Sequence, residues 1–447
     1  MNSNGNASNI NASNASGVLP DFDIIIKRLL TVYNRERRRC PSNMVNTKHD
    51  ATSYENCSYK HEIKIYDANI LYEGFLRQKR VSGWKPQTQR FQMNLLSNLS
   101  KLQKEIRNKT LKIPEGNEFV LRERGKVRFV TGEKTIGAIA KSVLCDHELW
   151  PKLRRYLIYD NSASLIGRGT SHARKRLDVH LRKFYQKNGS NDGYILLVDF
   201  VKYFDNIRHD LFLELLDSLG IKEEYAVWLL TYIVSLSRVD VSYMDEEEYT
   251  NCLNVVFNSL EYQHIDKALL TGKKFMDKHF NIGCPVAQVA GVVYPVPFDN
   301  FIKIVKGMKY YGRYMDDSYI IHKDKNYLES LLLEITEVAN NLGITIHPKK
   351  TRIVKLSSYW RFMQVQYALT DTGRIIKKIN PKRLTDMRRK IKKLAGVIPL
   401  ERFDNLYKSW FRNHYKIMSR KQRDNMDELY HSLREVYFSE SKEGLDV

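Results

Sequence analysis

The sequence predicts an α+β fold in which an antiparallel sheet carries a set of carboxylates and amphipathic helices surround it. Three observations predict it. Tyr194-Ile195-Leu196-Leu197-Val198 is a continuous apolar run, as a central strand buried on both faces should be, and it ends at the charged Asp199. Within residues 309–321, two β-prone runs rich in Tyr and Ile flank Met315-Asp316-Asp317, which reads as strand, tight turn and strand. After Asn380-Pro381, a plausible helix start, three apolar stripes recur at helical spacing. They are Leu384, Met387, Ile391 and Leu394; Phe403, Leu406, Tyr407 and Trp410; and Met426, Leu429, Tyr430 and Leu433.

The 447 residues can bury a sizeable core and hold two or three subdomains. A net charge of +22, from 73 Lys and Arg against 51 Asp and Glu, predicts a polyanionic partner whose affinity falls steeply with salt. An anionic membrane is the competing partner, but no run of 18 apolar residues supports it. Five scattered cysteines (Cys40, Cys57, Cys145, Cys252, Cys284) lack zinc-ligand spacing, and an odd count argues against a disulfide framework. They point to a reducing, cytoplasmic setting. The Asn/Ser/Gly/Ala tract at the start lacks the basic region and apolar core of a signal peptide and predicts a disordered tail over residues 1–18.

Residues 19–118 read as a helical region. Ile24, Ile25, Leu29, Leu30 and Tyr33 form a stripe closed by Arg35, Arg37, Arg38 and Arg39; Leu95, Leu96, Leu99 and Leu102 mark a helix over 91–106. Residues 118–130 alternate around Gly125 as a hairpin bearing Lys126 and Arg128. Residues 167–183 begin with glycine and become a basic helix, a candidate phosphate contact through Arg168, Arg174 and Lys175. Residues 222–280, with acidic Asp245-Glu246-Glu247-Glu248, look like an insertion. Its acid is either a solvated face or a docking surface for another subunit. In the tail, Arg388, Arg389 and Lys392 lie on the polar side of the first helix, suited to a nucleic-acid backbone.

The chemistry rests on carboxylates. Asp316 and Asp317 inside an apolar hairpin repel each other and resist desolvation unless a cation joins them. An isolated Asp-Asp is more often a solvated turn. A second acidic strand end, Asp199, reverses that preference and makes a three-carboxylate set suited to two Mg²⁺ ions.

Asp199 followed by Phe204-Asp205, with Tyr314-Met315-Asp316-Asp317 in a hairpin, resembles the two metal-binding motifs of reverse transcriptases. The likeness runs from about residue 72 to 398. It includes Val127-Arg128-Phe129-Val130, the stretch from Asp160 through Gly167-Arg168-Gly169-Thr170, and His347-Pro348-Lys349-Lys350-Thr351-Arg352. The resemblance implies a right-hand polymerase with fingers at 119–198, a palm at 199–356, a palm–thumb hairpin at 357–378 and a helical thumb at 379–447. It implies that Asp199, Asp316 and Asp317, with Phe200 beside them, hold two Mg²⁺ ions, with Mn²⁺ as a substitute. Lys350 becomes a candidate general acid, Lys126 and Arg128 meet the triphosphate, Phe204 closes the sugar pocket, and Gln288 contacts template or base. Val286, Ala287 and Gly291 depart from the usual Pro-Gln-Gly pattern, and the Phe-Leu-Gly expected within 359–367 is not intact.

The implied partners are an RNA template, a DNA product and dNTPs. A non-coding RNA, a second protein subunit or a second copy of the chain are further candidates. Within the family the layout looks like bacterial enzymes outside intron maturases, first among them antiphage-defence enzymes making repetitive or weakly templated DNA. The runner-up is the mutagenic enzyme of a diversity-generating retroelement, and the reading from another class is a non-catalytic nucleic-acid-binding scaffold.

Overall fold

The computed structural model describes residues 64–123, 126–261 and 265–438. The expected tail over 1–18, the basic helix after Pro20, Cys40, Cys57 and the turn at Gly125 lie outside these residues. The described chain is a mixed helical and antiparallel-sheet protein, as the α+β expectation required.

Three helices lead: α1 (Ala68–Ser82), α2 (Pro86–Met93) and α3 (Leu95–Arg107). The sequence stripe predicts one helix across the last two. The backbone instead breaks at Asn94 (φ −116°, ψ 43°), which turns Leu99 and Leu102 into the core and leaves Leu96 83% exposed. Strands β1 (Asn117–Glu123) and β2 (Lys126–Gly132) pair only with each other. Helix α4 (Thr135–Val143) is buried along its whole length and runs on through a π-helical turn, Leu144–Leu149. Gly74 of α1 lets it approach closely, since a Cβ there would lie 2.6 Å from a Val143 methyl.

Helix α5 (Thr170–Asn188) buries Ala173, Leu177, Leu181 and Phe184 on one face and stops at Gly189, whose φ of +68° suits glycine. It covers one side of the principal sheet, of order β6-β7-β3-β8, formed by β3 (Tyr194–Val198) and three later strands. Ile195 and Leu197 pack with α5, whereas Leu196 and Val198 face the larger core on the other side. Burial on both faces is why the run reads as continuously apolar. Strand β3 lies inside this sheet and pairs with both β7 and β8.

Helices α6 (His209–Ser218) and α7 (Glu224–Ser235) follow, then β4 (Val239–Asp240), α8 (Glu246–Asn254) and β5 (Phe275–Met276). The proposed insertion at 222–280 divides here. Ala226, Leu229, Leu230, Ile233 and Val234 of α7 belong to the main core, whereas Val241, Met244, Phe257 and Met276 form a small core of their own. Helices α9 (Pro285–Val293) and α10 (Val296–Asn300) are almost wholly buried and deliver the chain to the hairpin β6 (Tyr311–Tyr314) and β7 (Asp317–His322). Helix α11 (Lys325–Asn341), N-capped by the Asp324 carboxylate, precedes β8 (Arg352–Lys355). A separate sheet of β9 (Trp360–Phe362), β10 (Val365–Leu369) and β11 (Ile375–Ile379) leads to α12 (Pro381–Leu394), α13 (Leu400–His414) and α14 (Arg420–Phe438). These last helices bury Met387, Ile391, Phe403, Tyr407, Met426 and Tyr430 against one another. Among the described residues no helix is long and apolar enough to cross a membrane.

Candidate active site

The site is built by strand register. Val198 pairs with Ser318, and continuing that antiparallel ladder by one step sets Asp199 across from Asp317. Opposite residues on antiparallel strands hold their Cβ atoms about 5 Å apart. Tyr314 pairs with Asp317, so the two turn residues are Met315 and Asp316. Asp317 therefore opens a strand rather than sitting in the turn, while Asp316 occupies the tip as the sequence suggests. Met315 has φ +55°, the left-handed region that favours glycine. Past Asp199 the chain stays extended. His347 N donates to the Asp199 carbonyl and Val201 N to the Thr345 carbonyl, each at 2.8 Å, on either side of a Phe200–Ile346 bridge. The Phe200 carbonyl takes no part in that pair of bonds, and its ring is buried against Tyr203 and Phe298.

Lys350 reaches this strand end. Its Nζ donates to Asp199 Oδ1 at 2.7 Å, so an ammonium stands at that carboxylate. Among the described residues no group of three or more His, Cys, Asp or Glu side chains is gathered closely enough to hold a metal by protein ligands alone. Mg²⁺ normally takes only one or two carboxylates and completes its shell with water and substrate phosphates. Carboxylates at the end of β3 and at the neighbouring β6–β7 turn offer hard oxygens of the kind such an ion takes.

Phe204 is half-buried beside this strand end. A Cβ on Gly291 would lie 2.9 Å from its Cζ and 3.1 Å from Met315 Sδ, so Gly291 lets ring and turn approach each other. The loop carrying Phe204 is tied to the small core. Asn206 donates to and accepts from the Phe257 backbone, and the Asp205 carboxylate accepts from Ser259 and meets His279 Nδ1 at 2.8 Å. Gln288 is the exposed residue of α9.

The remaining expected contacts separate. Lys175, Arg388, Arg389 and Lys392 are exposed, as a nucleic-acid contact requires. Two arginines also donate within the fold. Arg168 donates from Nη1 to the carbonyls of Tyr159 and Asn161, and Arg174 is half-buried with Nη2 on the Met363 carbonyl at 2.9 Å. Charge is visible in a sequence, but the carbonyls that consume it are not. Arg128 is partly buried on β2, opposite Leu121.

Two buried polar clusters went unnoticed in the sequence. Arg313 and Asp299 form a buried pair, and burial that would discourage the Arg313 cation is outweighed by the Asp299 charge and hydrogen bonds, which raise its pKa. Asp160 is bonded by Arg176 Nε at 2.6 Å and Lys303 Nζ at 3.0 Å, with His180 beside it. Burial opposes its ionisation, yet His180, Lys303 and Arg176 hold the carboxyl well below its usual range. A charge set in an apolar strand, as Arg313 is, was the available signal.

Residues 122–367, more than half of the chain, match the family described as reverse transcriptase (RNA-dependent DNA polymerase). The matched segment contains both strand ends, the hairpin and Lys350, and its class is that of nucleotidyltransferases that copy a template. The chain belongs to the reverse transcriptase family, and its activity is RNA-directed DNA polymerisation from dNTPs. A search of curated proteins finds no match to the chain.

Proposed function

We propose that Asp199, Asp316 and Asp317 form the metal-binding centre at which a primer 3′-hydroxyl attacks the α-phosphate of a dNTP, in a right hand of fingers, palm and thumb. The observation that carries this reading is the register that pairs Val198 with Ser318, the neighbours of Asp199 and Asp317, next to the turn bearing Asp316. Two bound Mg²⁺ ions would activate the hydroxyl and neutralise the charge developing on the leaving pyrophosphate. Asp199 and Asp317 hold the facing sides of the centre, and the Phe200 carbonyl adds a hard oxygen beside them. Lys350, already at Asp199, is placed to give a proton to the departing pyrophosphate. The Phe204 ring closes the sugar pocket, its bulk set against a ribose 2′-hydroxyl. Arg128 and Lys126 serve the triphosphate, and Arg128's planar fork suits it to that charge. Lys175 and the exposed basic face of α12 meet the nucleic-acid backbone.

In Asp316→Ala, Mg²⁺-dependent dNTP incorporation should fall about a thousandfold or more, since a metal centre supplies several kcal/mol of transition-state stabilisation. Incorporation that survives the change removes Asp316 from the centre. As the biological role we propose bacterial antiphage defence with a non-coding RNA or partner protein. Loss of phage protection in the same variant tests it, and protection that persists without polymerisation would favour the scaffold.

A further inference from the structure

Arg313 lies one residue before the Tyr314-Met315 step of the hairpin, and its side chain turns inward rather than toward substrate. The guanidinium is almost completely buried and every branch of it is engaged. Nε and Nη2 fork onto the two Asp299 carboxylate oxygens at 2.7 Å each. Nη1 donates to the Met315 carbonyl at 3.0 Å and to the Gly291 carbonyl at 3.3 Å, while Nη2 also reaches the Val292 carbonyl at 2.8 Å. Tyr311 Oη donates to Asp299 Oδ1 from the same strand.

Each partner has a physical reason to need it. The Gly291 carbonyl lies near the C-terminus of α9, where its donor four residues on would be Pro295, which has no N–H. Arg313 and the Tyr203 hydroxyl, at 3.0 Å, supply the missing donors, and a cation suits a helix C-terminus. Met315 holds a left-handed backbone that a non-glycine residue adopts only under strain. Its carbonyl is the group Arg313 grips. A buried Arg–Asp pair is also a poor way to gain stability alone, since desolvation offsets much of the attraction.

We propose that the buried Arg313–Asp299 pair is the positioning device of the catalytic turn: it locks Met315 in its left-handed conformation and fixes that turn to the Gly291 seat of Phe204, thereby setting where the Asp316 and Asp317 carboxylates stand. Arg313 touches neither metal nor substrate. The inference rests on the metal-centre reading above.

The test is Mn²⁺ binding to the full-length protein without nucleic acid, read from the electron paramagnetic resonance signal of free Mn²⁺, with thermal unfolding measured alongside. Wild type should bind and Asp316→Ala should lose a site; failure of that pair overturns the metal reading and this inference with it. Arg313→Lys keeps the charge but cannot fork to Asp299 and the carbonyls together. It should weaken Mn²⁺ binding roughly tenfold or more, the usual cost of losing a ligand's support. Adding Met315→Gly, which adopts positive φ freely, should recover part of that loss. Tyr311→Phe deletes a single hydroxyl and covers the case in which Arg313→Lys does not fold. It should speed amide hydrogen exchange over 315–318 ahead of the surrounding sheet. Unchanged Mn²⁺ affinity in folded Arg313→Lys, or unchanged exchange in Tyr311→Phe, overturns the positioning role while leaving the metal reading intact.

Discussion

On the metal-centre reading proposed above, Lys350 and a metal ion would compete for one Asp199 oxygen. The ammonium sits at Asp199 Oδ1, so removing it should free the carboxylate while depriving the leaving group of a proton donor. In Lys350→Met, Mn²⁺ affinity should rise while turnover falls about a hundredfold or more, the usual contribution of a positioned general acid. Titration and single-turnover extension on one preparation would read both, and a parallel loss of affinity and rate would contradict the competition. At this scale the three carboxylates drew notice because they stand at the ends of apolar strands and in the turn between two of them. Arg313 stood in the same stretch and passed unread. Its partner Asp299 lies 14 residues upstream in a short helix, and only the tertiary fold brings them together. Arg168 and Arg174 carry hydrogen bonds to backbone carbonyls that composition does not show.

Helix α6 begins at a histidine that the fold keeps neutral. His209 is buried, its Nε2 donates to the His279 carbonyl at 2.6 Å, and its Nδ1 has no hydrogen-bond partner. Burial lowers its pKa to about 4, from an ordinary value of 6.5. The unfolded chain therefore takes up a proton between those values while the folded chain does not, so stability falls as pH drops from about 6.5 toward about 4. Urea midpoints at pH 7 and pH 5 should differ in wild type. The difference should shrink in His209→Gln, whose amide can still donate but does not titrate; an undiminished difference would place the acid sensitivity elsewhere. At the level of elements, strand β3 and the stripes of α12 to α14 were readable because their apolar periods match their burial. The break at Asn94 was not, because four leucines at helical spacing look continuous whether or not the backbone turns between them.

Across the whole molecule the charge of +22 sets the partner class, and the family match agrees with it. Arg388, Arg389 and Lys392 are exposed on α12, whose apolar side is spent on the neighbouring helices. Changing all three to alanine should weaken binding to any nucleic-acid sequence alike. The slope of log affinity against log salt should lessen by about 2, the yield of three lost phosphate contacts. A variant with the wild-type slope would mean that the basic face points away from the bound strand. Net charge could be read from composition. The division of residues 222–280 could not, because nothing in the string distinguishes α7, which completes the main core, from the small core behind it.

That small core is not an ornament that could be trimmed away. Asn206 spends both ends of its amide on the backbone of Phe257, 51 positions further along, in a setting closed to water. Excising the lobe would take away the partners of an acceptor and a donor on Asn206, two residues from the Phe204 ring proposed above as the sugar-pocket gate. Whatever grips, bends or cleaves that outlying piece therefore pulls on the loop that carries Phe204, as a tug on a handle is felt at the latch.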